Sequence, residues 1–417
     1  MIKQFLVSLT LIFTVTTMGQ TASSSPYSFY GIGDLVFKGT VENRSMGGIN
    51  MLKDSIHVNV QNAAGLSDLM YTTYTIGGNL NKTSLQTASD NESAQRISLD
   101  YLLIGLPITK KIGVAVGLMP FTSVGYQIRN ISDDVNEPNY RYTGSGGINR
   151  VYTGLGYKLN KSFSIGADFN YNFGEISTSN ISFLSDIQYG TRESNLSNIR
   201  GANVNLALMY NRKLNEKITL FSSAVYSPEG ELTLQNERNI ATVQFSETFG
   251  ETVIESDDIP VEDTKIKIPS KFTFGLGIGQ MQKWSVGAEL SIIQASKTGN
   301  RFTDIRQVSF ENSTKLNVGG YYLPNFKSFT SYFSRVNYRA GFFYQNTGMV
   351  INNESITNFG ITFGLGLPLG GSFSNMNIGY EYGKRGTTNA GLIQENYSNI
   401  TISLSLNDKW FLKRKID

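Results

Sequence analysis

The sequence predicts an all-β chain: a 14-stranded antiparallel transmembrane β-barrel preceded by an N-terminal plug, or hatch. Three observations carry this. Six tight turns recur along residues 71–407, each separated from the next by one long hairpin and one longer loop. The segments between them alternate apolar and polar residues, and period two marks a strand with two different faces. The composition is low in charge, with 17% Asp, Glu, Lys and Arg, and rich in aromatic residues and glycine, with 22 Tyr, 25 Phe and 42 Gly in 417 residues. Soluble domains carry about 25% charged residues.

Residues 1–19 read as a signal peptide. Lys3 is followed by FLVSLTLIFTV and then Met18-Gly19-Gln20, with the cut expected between Gly19 and Gln20. The run is too short to span, since a transmembrane helix needs roughly 20 apolar residues, and no later stretch approaches that length. The chain has no cysteine, which excludes disulfides, thiolate metal sites and a catalytic thiol. A single histidine, His57, excludes a multi-histidine metal centre; between Ile56 and Val58 it reads as an ordinary packed position. The net charge of +3, with no basic stripe, gives no reason to expect a nucleic-acid partner. No cofactor or metal is expected. An activated nucleophile has no partner pattern either, so no catalytic residues are assigned and the chain is not expected to be an enzyme.

Residues 20–70 break the alternation. They are Gly- and Asn-rich and hold Tyr27, Phe29, Tyr30 and other apolar residues at no steady period. Before a barrel this wide they are expected to fold back into the lumen, because only about eight strands can fill their interior with their own side chains.

The barrel proper is expected over 71–407, with residues 408–417 as a basic periplasmic tail. The tight turns lie in LPITKKIGVAVG, YKLNKSFSIGAD, NRKLNEKITLFS, GQMQKWSVGAEL and LPLGGSFSNMNIG, with a looser one in YLPNFKSFTSYFSRVNYRAG. Six hairpins, a strand at 71–81 and a strand at 397–407 make fourteen. Long loops are expected near 82–94, 130–141, 187–197, 228–264, 297–313, 347–355 and 384–396. The acidic stretch SETFGETVIESDDIPVEDTK reads as a solvated external loop. Parity sets Phe163, Ile165, Phe169, Tyr171 and Phe173 outward and Ser164, Asp168, Asn170 and Asn172 inward. In 336–344 it sets Val336, Tyr338 and Phe342 against Arg335, Asn337 and Arg339. An apolar exterior and a polar interior follow, as in outer-membrane barrels.

GITFGLGLPLGG, residues 360–371, has the glycines of a nucleotide loop but no helix after it. Its Ile361, Phe363, Leu365 and Leu367 alternate as a strand does. Gly364 and Gly366 therefore face inward, leaving room for something lying against the wall.

The stretches SPYSFYGIGD, NRSMGG, NAAGLS and the terminal YEYGKRGTTN…LIQENYSNITISLSLNDKWFLKRK resemble Bacteroidota members of the FadL-like outer-membrane transporters, over essentially the whole mature chain. The resemblance implies a cell outer-membrane location, fourteen strands, a hatch, and passive uptake of hydrophobic compounds such as long-chain fatty acids. Partners would be outer-membrane lipid and hydrophobic small molecules. In that family the hatch carries Asn-Pro-Ala; here Asn62 and Ala64 match and Ala63 replaces the proline, which relaxes a rigid turn. Pro120 lies in the middle of the third strand, where proline is confined to edges or bulges. A bulge at the rim and an opening in the wall fit the residues equally; the resemblance favours the opening.

Parity places Asp100, Asp168, Glu289, Glu381, Arg150, Arg335 and Arg339 inside. For a fatty acid, Arg335 or Arg339 would hold the carboxylate, and Met119, Pro120, Phe121 and Phe343 with the hatch residues Tyr27, Phe29 and Tyr30 would line its path. Their mixed signs favour pairing that pins the hatch. The alternative function is a non-transporting barrel that binds or scaffolds other outer-membrane proteins in a larger assembly or secretion machine.

Overall fold

The computed structural model describes residues 25–410 apart from 133, 247–249, 302–307 and 371–373; the expected signal peptide and most of the C-terminal tail lie outside the described residues. Fourteen antiparallel strands form the barrel. On the first side run β1 (Thr72–Gln86), β2 (Asn91–Pro107), β3 (Ile112–Asn130), β4 (Asn139–Lys158), β5 (Phe163–Phe183) and β6 (Tyr189–Lys213). Two interrupted strands follow: β7 (Thr219–Ser227, Gly230–Ser246) and β8 (Gly250–Ile259, Thr264–Ile268, Lys271–Gln280). The circuit finishes with β9 (Trp284–Ile293), β10 (Ser313–Tyr322), β11 (Asn337–Ile351), β12 (Glu354–Pro368), β13 (Asn375–Arg385) and β14 (Gln394–Asp408). β14 pairs with β1 from Gln394 opposite Gln86 to Asp408 opposite Thr72, which closes the barrel.

The tight turns fall where the sequence places them, and all six lie at the end where the barrel begins and finishes. Most of the long loops are shorter than expected; the connection between β9 and β10, residues 294–312, is not. The acidic segment is a strand, not a loop: Gly250–Ile259 pairs with Arg238–Ser246 of β7. The acidic strand is itself exposed from Thr252 to Ile259, and it is held by the ladder to β7, whose Ala241 and Val243 are buried against Ile181. Likewise 187–197 is the start of β6. The loop at 347–355 contracts to Asn352-Asn353, whose φ values of 50° and 65° fit the two-residue hairpin that asparagine favours.

Parity holds in the barrel wall. Phe169, Leu290 and Leu365 are exposed, while Asp168, Asn170 and Glu289 are at most 3% exposed. It fails at one end of β11. That strand begins at Asn337, so Arg335 sits half-buried in a 3-10 turn at Phe333–Arg335, before the ladder begins, and Val336 is buried instead of exposed. The interior is not polar throughout: toward the loop end Ile148, Ile176, Ile199 and Leu232 face inward and form one apolar cluster with Val124.

Candidate functional site

Residues 25–70 run the length of the lumen. At the loop end the Tyr27 hydroxyl donates to the Ile393 carbonyl at 2.6 Å, and Phe29 packs edge-on against Tyr126 at 5.2 Å. At the turn end the Ile56 carbonyl accepts from Thr73. The segment has little regular structure: a 3-10 turn at Pro26–Phe29, where proline opens the turn, a helical turn at Val41–Arg44, and a 3-10 turn at Ala63–Asp68. Asn62, fully buried, caps the last of these by accepting from the Ala64 amide at 3.1 Å. The cap fixes a turn that Ala63, lacking proline's locked φ, does not fix itself.

The wall meets this segment with glycine. A Cβ on Gly113 would overlap the Leu66 carbonyl, and one on Gly166 the Ala64 amide. On the opposite wall the same holds of Gly319 against Met46 and Gly341 against Gly47. Gly364 lies against Ser45, which is the room its inward placement provides. The Gly47 amide then donates to Thr362 at 2.9 Å.

Charges fix the rest. Lys38 pairs with Asp168 at 3.0 Å, Arg44 with Asp100 at 3.0 Å and Glu381 at 3.4 Å, and Arg385 with Asp34 at 2.6 Å. Glu289 accepts from the Met51 amide at 3.0 Å and the Asn50 side chain at 3.1 Å. His57 is buried as expected, but between charges, not apolar groups. Its Nδ1 lies 2.7 Å from Asp54 and its Nε2 3.5 Å from Glu42. Burial pulls the His57 pKa down, yet the Asp54 and Glu42 carboxylates raise it above its ordinary value. Burial raises the Asp54 carboxyl, and His57 more than offsets this, bringing it down to about 2. Lys38, Asp34, Glu42, Lys53 and Asp54 were not singled out from the sequence. Their signal was available, since residues 26–70 carry the same mixed signs as the inward barrel positions.

The wall itself has a seam. β2 and β3 pair only from Leu102–Leu118 down to Pro107–Gly113; above that they part, although β2 continues to Asn91 and β3 to Asn130. Pro120 stands just above the parting, and on its other side the β3–β4 register shifts between Pro120 and Thr122. The local defect expected at Pro120 is therefore present, as a register shift on one side and a parted ladder on the other. The seam is occupied. Asp34 and Leu35 pair with Ser123 and Thr122, the Val36 amide donates to the Phe121 carbonyl at 2.9 Å, and Leu35 is 66% exposed. Arg96 of β2 bridges to Ser123 at 3.1 Å.

The residues expected to bind a ligand do not converge on one channel. Met119 is buried with Val60, Leu66 and Tyr152 near the middle of the lumen. Phe121 belongs to the loop-end cluster, with the Arg150 guanidinium 4.1 Å above its ring. Phe343, on the far wall, lies under Lys315 at 4.9 Å. Arg339 is spent on Asn377 at 2.9 Å, and Arg335 stacks on Tyr332 at 5.4 Å in the turn before β11. Tyr27 stacks beneath Arg385 at 4.8 Å, and Tyr30 packs edge-on to Phe29. Among the described residues, no group of three or more His, Asp or Glu is placed to hold a metal ion.

The closed barrel of fourteen strands defines a class by its fold, that of the FadL-type transport proteins of known structure. The Pseudomonas aeruginosa FadL homologue matches at TM-score 0.60 and 11% identity, over 90% of this chain and 99% of that one. The Ralstonia pickettii toluene transporter TbuX matches at 0.58 and 12%, over 89% and 99%. The Pseudomonas putida toluene transporter TodX matches at 0.57 and 15%, over 90% and 99%. Identities this low speak for the fold alone. The chain belongs to the BamG family, whose model matches residues 1–417. No functionally curated protein matches it.

Proposed function

We propose that this protein is a sealed outer-membrane barrel that serves as a binding or scaffolding subunit of a larger outer-membrane assembly. The observation that carries this is the filling of the lumen: main chain laid directly on wall glycines and tied by buried ion pairs on several sides. Removing one partner of a buried pair costs about 3–5 kcal/mol. Freeing residues 25–70 breaks several at once, so an open lumen is a rare state. What remains available to partners is the exterior and the tall strands β6 to β8. The test is purification from native membranes in mild detergent. Stoichiometric co-elution of other outer-membrane proteins is expected; a lone barrel that carries a labelled hydrophobic solute into vesicles would sink the reading.

A second reading is favoured by the seam. If Asp34–Val36 left β3, a hydrophobic compound such as a long-chain fatty acid in the lumen would reach lipid sideways, past Met119, Pro120 and Phe121. The route suits apolar cargo, because re-exposure to water costs about 25 cal/mol per Å². Uptake of a labelled long-chain fatty acid by vesicles holding the protein alone tests it.

A further inference from the structure

The turn end of the barrel repeats one arrangement. Ile108, Leu159, Leu214 and Met281 stand 45–56% exposed, one in each of four turns. Each has an exposed lysine within three residues: Lys110, Lys161, Lys217 and Lys283. The connection between β10 and β11, residues 323–336, enlarges the theme. It contains no acidic residue, and Phe329 and Phe333 are 102% and 74% exposed. Lys327 lies 5.5 Å from the Phe326 ring, and the Tyr338 hydroxyl on the outer face of β11 donates to the Phe333 carbonyl. The loop therefore sits at the outer rim of the wall, not beneath the lumen.

Lys82 of β1 apart, the exposed lysines of the two ends differ, while the half-buried Lys53 and Lys158 of the turn end are spent on Asp68 of the inner segment. At the loop end Lys265, Lys267 and Lys297 each meet a carboxylate at 2.8–3.3 Å. At the turn end Lys110, Lys161, Lys217, Lys283 and Lys327 have no ion-pair partner among the described residues, and Glu216 is the acid carried by the four short turns. The loop-end connections carry Asp90, Asp134, Glu137, Asp186, Glu262 and Asp263. Apolar tips with unpaired lysines are what an interfacial surface needs. The tips enter the acyl boundary, the aromatic rings sit at headgroup level, and the ammonium groups meet phosphate.

We infer that the turn-end rim, with the 323–336 loop as its main foot, binds the anionic headgroups of glycerophospholipids in the leaflet it faces. This rests on the reading of the exterior as lipid-facing. Juxtamembrane lysines attract anionic lipid, and the attraction is screened by salt. It is tested by reconstituting the full chain into phosphatidylcholine vesicles with and without phosphatidylglycerol, and measuring boundary-lipid selectivity with spin-labelled lipids. A several-fold preference for phosphatidylglycerol is expected, falling to none at high salt and in the combined variant Lys110→Gln, Lys161→Gln, Lys283→Gln, Lys327→Gln. Heat-modifiable gel migration establishes that this variant folds. Phe329→Ser with Phe333→Ser should leave a measurable but weaker preference. Equal selectivity in the native chain overturns the inference, as does a preference that survives the four substitutions. If the variant loses a co-purifying protein from native membranes and the native chain shows no lipid preference, the rim is a protein-docking face instead. Failure of the native barrel to enter either vesicle would defeat the lipid-facing reading itself, a separate outcome.

Discussion

Replacing Lys38 by methionine isolates the contribution of one pin. Lys38 Nζ lies 3.0 Å from Asp168 Oδ1, with the aspartate side chain 1% exposed and the lysine 21%. Methionine keeps most of the stem's packing and removes the charge. Asp168 retains the Asn170 amide at 2.6 Å, so the cost falls at the lower end of the range for breaking a buried pair, about 3 kcal/mol. At 1.4 kcal/mol per factor of ten, the population with residues 25–70 displaced rises by about two orders of magnitude. Because the chain contains no cysteine, the displacement can be read at one introduced site. Val60 is 1% exposed, and Val60→Cys changes its volume little. Its labelling by a thiol reagent in the folded protein should be slow in the native background and about a hundredfold faster with Lys38→Met. Asp168→Asn added to Lys38→Met should recover most of the protection, since no carboxylate is then left unpaired. Labelling rates that do not differ between Val60→Cys and Val60→Cys with Lys38→Met would refute the claim that this pair holds the segment in place.

Further expectations follow from the same geometry. The His57 cluster makes protection pH-dependent. With its pKa raised, His57 contributes fully below its ordinary value of 6.5, and the contribution is lost as pH rises through the folded-state value; Asp54 contributes above 3.8 and is lost as pH falls through about 2. His57→Gln should flatten the alkaline side of the Val60→Cys labelling profile, and an unchanged profile counts against the cluster. Gly341→Val should displace the Met46–Gly47 corner and accelerate the same labelling, while Gly370→Val, with nothing within 4 Å among the described residues, should be silent. Leu365→Arg, 39% exposed on the outer face, should impair assembly by about 2–4 kcal/mol, read as lost heat-modifiable migration; normal assembly would discredit the lipid-facing band. Pro120→Ala should leave the seam as it is, because Asp34 and Leu35 already occupy that edge of β3. Hydrogen exchange at Val36 tests this, and faster exchange in the variant would contradict it.

Strand number and turn positions were legible because both are local. A wall one side of which is apolar forces period two, and a reversal needs only a few polar residues, as in ITKK or LNKS. Inward glycines at 364 and 366 were legible for the same reason. The lengths of β6 and β8 were not. A polar, acidic segment such as Gly250–Ile259, exposed on both faces, becomes a strand when β7 offers it a ladder, and that neighbour is identified only by the pairing. The mixed signs of the inward barrel charges favoured pairing that pins the hatch, yet which of Lys38, Arg44 or Lys53 meets which carboxylate depends on how an aperiodic segment threads the lumen. Arg335 shows the limit of parity, since two residues outside the ladder the alternation has no force. Pro120 marks the weak point of a wall by its missing donor, a property of the residue alone. That the gap is filled by Asp34–Val36, about 85 residues earlier in the chain, was set by tertiary structure, because unpaired backbone on β3 accepts whatever strand the folded lumen brings beside it.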